Sequence, residues 1–262
     1  MTKHLMLGIA ALALSAGLAS AQDLKFAPGD QPDRFDWQSY DQFAKDTDLK
    51  GQTLTITGPW TGDDKKLFES VLAYFEAATG AKVNYSGSES FEQDIVIASR
   101  AGTPPNIAVL PQPGLAADLA KQGYLTPMPK GTGAWIKDNY AAGQSWEDLS
   151  TYTGKDGEKH TYTFPFKADL KSLVWYVPEN FKEAGYKVPQ TMEELQALTK
   201  KIVADGGTPW CIGLGSGAAT GWPATDWVED FMLRTQPPEV YDGWVKNTVK
   251  FNDPRVVDAI KD

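Results

Sequence analysis

Residues 51–85, GQTLTITGPWTGDDKKLFESVLAYFEAATGAKVNY, read as strand, helix, strand. Leu54-Thr55-Ile56 alternates apolar and polar residues, the pattern of a half-buried strand, and Gly58-Pro59 ends it. Thr61-Gly62-Asp63-Asp64 is a capping sequence with its acids where a helix N-terminus favours negative charge. Leu67, Phe68, Val71, Leu72 and Phe75 then recur at helical spacing up to Gly80, and a second strand is predicted over Lys82–Tyr85.

Downstream, the same alternation continues. A helix is predicted over Phe91–Arg100, opened by Ser90 and closed by Gly102. A third strand over Ile107–Leu110 lies between Pro104-Pro105 and Pro111, and a helix over Leu115–Lys121 ends at Gly123. Repeated strand-helix units argue for an α/β layer with a mainly parallel sheet, whose ligands sit at the C-terminal ends of its strands. Gly154-Lys155-Asp156-Gly157 reads as a turn between Thr151-Tyr152 and His160–Phe164. Leu173–Val177 and Trp210–Gly213 read as short apolar strands, with Cys211 buried in the second. Helices are expected near Pro178–Ala184, after the capping box Thr191-Met192-Glu193-Glu194, from Pro223 to about Thr235, and over Tyr241–Val245. Asp253-Pro254 starts one more helix with only eight residues left, which points to a longer protein.

The N-terminus carries Lys3 and His4, an apolar run Leu5–Leu18 and the small residues Ala19-Ser20-Ala21. This is the pattern of a cleavable secretory signal peptide, too short to span a bilayer. Cleavage before Gln22, with no Cys there to be lipidated, implies a free periplasmic protein. Removing residues 1–21 takes away one Lys and no acid, so the net charge of −9 becomes −10. Such an acidic surface repels nucleic acid and anionic lipid. Residues 22–50 are polar and read as an extension with at most one short helix around Trp37–Lys45.

Several phrases, in order, resemble family 1 extracellular solute-binding proteins, the carbohydrate-capturing subunits of ABC importers. They are Pro105-Asn106-Ile107-Ala108-Val109 with Pro111-Gln112-Pro113-Gly114, Lys121-Gln122-Gly123-Tyr124-Leu125-Thr126-Pro127, and Leu173–Val177 followed by Glu179-Asn180-Phe181, Ala184-Gly185 and Pro189–Leu195. Gly58-Pro59-Trp60-Thr61-Gly62, Trp210–Gly213 and Trp222-Pro223-Ala224-Thr225-Asp226-Trp227 are most similar to the α-glucoside-binding subunits. The resemblance implies a periplasmic-binding-protein type II-like α/β fold. Its two α/β lobes are joined by hinge crossovers, and the second lobe is incomplete in this chain. It places lobe I at 51–166 and the crossover with partial lobe II at 167–262. It further implies a monomer that takes a small carbohydrate to ABC permease subunits, with no cofactor and no nucleic-acid partner.

A sugar offers hydroxyls to planar acids and amides, and C–H faces to aromatic rings. Nine Trp are present, several in loops beside acids. Trp60 follows the first strand and is a candidate for stacking or for packing at the strand-helix turn. Ser88 and Glu89 follow the second strand and Gln112 the third. Asp169 lies at the proposed crossover, where it either meets ligand or forms an interlobe ion pair with a Lys. Trp175 alternates with Tyr176, so one of the two could face the cleft. Ser216 sits in a Gly-flanked loop, and Trp222 and Asp226 stand at a helix start.

The enzyme reading lacks a motif. One His remains after cleavage, and no H-E-x-x-H, G-x-S-x-G or Walker sequence occurs. A glycoside hydrolase needs only two carboxylates, so that alternative stays open. So does a non-sugar solute such as an opine or a polyol phosphate, although only four Arg are available to grip an anion.

Overall fold

The computed structural model describes residues 24–261, so the predicted signal peptide lies outside the described residues. Two compact units are present, one made of residues 24–87 and 105–108, the other of 88–104 and 109–261.

In the first unit, β1 (Thr53–Gly58) is the centre of a parallel sheet. It pairs with β2 (Lys82–Gly87) on one side and β3 (Ile107–Ala108) on the other, in the order β2-β1-β3. The register sets Ile56 opposite both Tyr85 and Ile107, and Ile56 and Tyr85 are buried. β3 ends at Ala108, shorter than predicted, and before its first residue a side chain extends the contact with β1. Asn106 Oδ1 accepts from the Thr55 backbone N–H (2.9 Å) and hydroxyl (2.8 Å), while the Asn106 N–H donates to Thr55 Oγ1 (3.0 Å). Between β1 and β2 runs α2 (Gly62–Thr79), closed by Gly80 at φ 72°, a left-handed conformation that glycine adopts without a Cβ clash.

Residues 24–50 are packed against this unit. α1 (Trp37–Asp46) is capped by Asp36, whose carboxylate accepts from the Ser39 N–H. Rings from Phe26, Phe35, Trp37, Tyr40 and Tyr74 meet at centroid distances of 5.2–6.3 Å. The expected short helix is therefore present, but the polar extension is anchored by aromatic residues spread among its acids.

The second unit opens with α3 (Phe91–Arg100) and α4 (Pro113–Gln122), which bury Phe91, Ile95, Ala116, Leu119 and Ala120. Two eight-residue helices follow that the sequence pattern does not announce, α5 (Thr132–Asn139) and α6 (Gly143–Ser150). They pack tightly because Gly143 lets the chain pass where a Cβ would overlap the Lys137 carbonyl. The predicted hairpin is β4 (Thr151–Thr153) against β5 (Lys159–Thr161), antiparallel with Tyr152 opposite His160.

α7 (Pro178–Ala184) and α8 (Met192–Ala204) occupy their predicted places. Thr191 caps α8 by accepting from the Glu194 N–H, and Glu194 reaches back to the N–H of Gln190 (2.6 Å), one residue before the cap. The core of this unit lies where α9 (Trp222–Thr235), α10 (Pro238–Val245) and α11 (Pro254–Lys261) meet, around Met232, Trp244, Val256 and Ala259.

Two strand predictions fail. Leu173–Val177 and Trp210–Gly213 form no strand, and Trp175 is 86% exposed. A strand needs a neighbour for its backbone N–H and C=O groups, and β1–β5 are the strands formed among the described residues, none of them paired with these segments. Cys211 is accordingly exposed rather than buried.

Candidate functional site

In the first unit Trp60 follows β1 directly. Its backbone N–H donates to Tyr85 Oη (3.0 Å), and that hydroxyl donates back to the Trp60 carbonyl (3.1 Å). The indole lies 4.9 Å from the Phe68 ring. Burial pushes the Tyr85 phenol above its ordinary pKa, partly offset by its bond to Trp60, so it stays a neutral clamp on this turn. Gly87 closes the other side, because any Cβ there would overlap the Trp60 carbonyl. Trp60 is thus half-buried on a fixed turn and packed against Phe68.

In the second unit the geometry centres on the start of α9. Gly221 sits at φ 99°, and its N–H donates to the Leu214 carbonyl (2.9 Å), closing the loop that contains Ser216. Trp222 and Asp226 are four residues apart, one helical turn, and so share a face. Trp222 is 42% exposed. Lys171 reaches both: its Nζ lies 3.0 Å from Asp226 Oδ2 and 4.6 Å from the Trp222 ring centroid. Ser172, at φ 57°, donates from Oγ to the Asp226 carbonyl (3.3 Å), so two successive residues are clipped to one. Burial, then the charge of Asp226, holds the Glu229 carboxyl above its usual range, with Lys171 opposing. Behind them Trp227 packs edge-on against Trp210 (5.7 Å) and stacks on Phe231 (6.1 Å).

The other predicted residues of this unit divide. Ser88 braces the turn before α3, donating to Asp94 Oδ2 (2.6 Å) and accepting from the Ser90 N–H (3.1 Å). Glu89 is exposed, and the Ser216-Gly217 turn lies against its backbone, a Cβ on Gly217 falling 2.9 Å from the Glu89 carbonyl oxygen. Gln112 is exposed at the start of α4. Asp169 forms a local ion pair with Lys167 (3.0 Å). Trp175 projects from an extended segment, while Tyr176 packs on Phe181 (4.8 Å). Sequence reasoning missed Lys171, Ser172 and Glu229. Lys171 carried one signal, its place in the crossover, but nothing in the sequence tied it to a residue 55 positions away.

Among the described residues no group of three or more His, Cys, Asp or Glu is arranged to hold a metal ion. Nor is any described helix long and apolar enough to cross a membrane.

The sequence model of the bacterial extracellular solute-binding proteins matches residues 58–262. The chain belongs to this family. Among its relatives, the alpha-glucosides-binding periplasmic protein AglE of Rhizobium meliloti is 62% identical over 268 residues, a match covering 100% of this chain and 58% of AglE. The osmoprotective compounds-binding protein GgtB of Synechocystis is 42% identical over 208 residues, covering 79% of this chain and 48% of GgtB. This family member therefore spans about half the length of the curated relatives it matches.

Two solved structures share its fold. The bacterial solute receptor AcbH, described as having an exclusive preference for β-D-galactopyranose, superposes with a TM-score of 0.52 at 24% identity over 82% of this chain and 51% of AcbH. A protein studied for xylan utilization by Caldanaerobius polysaccharolyticus gives 0.53 at 20% identity, covering 79% of this chain and 51% of its own. At these identities the likeness establishes the fold: a partial α/β architecture of the solute-binding type.

Proposed function

We propose that the protein is exported to the periplasm, captures a neutral sugar of the α-glucoside or a related oligosaccharide class, and delivers it as a monomer to an ABC permease without chemical turnover. The observation that carries this reading is the 62% identity to an α-glucoside-binding protein along the whole of this chain. The geometry agrees with it at the start of α9. There an exposed indole and a carboxylate share one helical face, the pairing that a sugar's C–H face and hydroxyls require.

On this reading lobe I spans 51–166 and lobe II begins at 167. Trp60, Ser88, Glu89, Gln112, Asp169, Trp175, Ser216, Trp222 and Asp226 supply ligand contacts. Trp222 and Asp226 are the strongest of these. Trp175 stands on an extended segment, and the Ser88 hydroxyl is engaged by Asp94 and the Ser90 N–H, so they carry less. An anionic solute is disfavoured, since the acids Asp226 and Glu229 face a single Lys at this site.

Isothermal titration of the full-length exported protein with maltose, trehalose and sucrose, with the ligand recovered and analysed afterwards, tests the reading. Tight binding of one of them with the sugar intact supports it. Released product, or saturable binding of an anion alone, overturns it. Trp222→Ala is expected to weaken sugar binding by about tenfold or more.

A further inference from the structure

One face of the Trp222 ring already carries a partner. Lys171 Nζ stands 4.6 Å from the ring centroid and is steered there by Asp226 Oδ2 at 3.0 Å. Ser172, in a left-handed conformation and bonded to the Asp226 carbonyl, holds the backbone beside Lys171 close to the start of α9.

We propose that Lys171 is a built-in competitor for the Trp222 ring, so that a neutral sugar binds by displacing its ammonium, and the Lys171–Asp226 pair sets affinity. This rests on the reading of Trp222 as the stacking ring. A sugar ring and an ammonium cannot lie on one indole face together. Asp226 is likewise contested, since a carboxylate oxygen engaged by Lys171 is a poorer acceptor for a sugar hydroxyl. The Lys171 side chain is 55% exposed, so its ammonium can swing into water when displaced. Its two contacts are electrostatic and partly exposed, and salt screens them. Stacking of a neutral sugar has no such dependence. A solute bearing an ammonium group would likewise have to expel Lys171, but would replace both of its contacts in kind.

Titrating the full-length protein with maltose at low and high sodium chloride tests this without any substitution. Wild-type affinity is expected to rise by about threefold with salt. Lys171→Ala is expected to bind roughly threefold to tenfold more tightly at low salt, the fold-change of one exposed cation–π contact plus an exposed ion pair, and to lose the salt dependence. Wild-type affinity that is flat or falls with salt, or a Lys171→Ala affinity that is unchanged or weaker, overturns the competitor role. Trp222→Ala separates the two readings. If it binds maltose as wild type does, the stacking assignment itself fails. If it loses binding while Lys171→Ala gains nothing, only the competitor role falls.

Discussion

The hydroxyl of Tyr74 accepts a hydrogen bond from the backbone N–H of Phe26 (2.8 Å) and donates one to the carbonyl of the same residue (2.9 Å). One side chain of α2 thus satisfies both backbone groups of a residue that precedes the sheet. With the ring cluster around Trp37, this makes residues 24–46 part of the first unit's packing.

Tyr74→Phe keeps the ring and removes both bonds, leaving two half-buried backbone groups to find water. A loss of about 1–3 kcal/mol is expected in urea unfolding, together with faster hydrogen exchange at the Phe26 amide. Unchanged exchange at Phe26 would show that the segment is held by its rings alone.

Gly87→Ala tests the clamp on Trp60. The new methyl has no room beside the Trp60 carbonyl, so the turn must shift. Overpacking of this kind costs about 1–3 kcal/mol. On the proposed function it also lowers maltose affinity, which titration of a thermally intact sample would reveal.

The helical core of the second unit can be weighed by a pair of adjacent residues. Met232 is fully buried, whereas Leu233 is 59% exposed. Met232→Ala is expected to cost about 2–5 kcal/mol and Leu233→Ala well under 1 kcal/mol in chemical denaturation. Equal losses would contradict the orientation of α9.

Two carboxylates give opposite pH effects. The Arg255 side chain and backbone hold Asp253 down to about 2 at the start of α11. A depressed folded-state pKa contributes stability above the ordinary carboxylate range, and that contribution is lost as pH falls from about 4 towards 2. Asp253→Asn keeps a good cap but loses the charge, so its urea midpoint should lie below wild type at pH 7 and converge with it near pH 2. Glu229 is raised mainly by burial, so its contribution is fully present below the carboxylate range and is lost as pH rises through its folded-state value. Glu229→Gln should therefore raise the midpoint at neutral pH and leave it unchanged in acid.

Much of the architecture was legible in one dimension because its signals are local. Apolar spacing, Gly stops and acid caps marked α2, α3, α7, α8 and α9 to within a few residues, since each helix must bury one stripe and satisfy its own ends. α5 and α6 were not legible, because they are opened by Gly131 and Ala142, neither of which makes a side-chain cap, and the residues they bury, Gly133, Ile136, Gly143 and Ser150, form no apolar stripe. The candidate site divides in the same way. Trp222 and Asp226 stand one helical turn apart, so their shared face is already a property of the sequence.

What the sequence by itself determined is the alternation of strand and helix, the parallel sheet it implies, the family, and which residue types could meet a sugar. Tertiary structure alone decided three things. The polar-looking segment before β1 is anchored, because its Phe26 backbone and the rings of Trp37 and Tyr40 meet Tyr74 on α2. Leu173–Val177 and Trp210–Gly213 remain unpaired, because a strand exists only beside another strand. Lys171 faces Trp222 and Asp226, because long-range contacts depend on how elements pack and leave no mark on local periodicity.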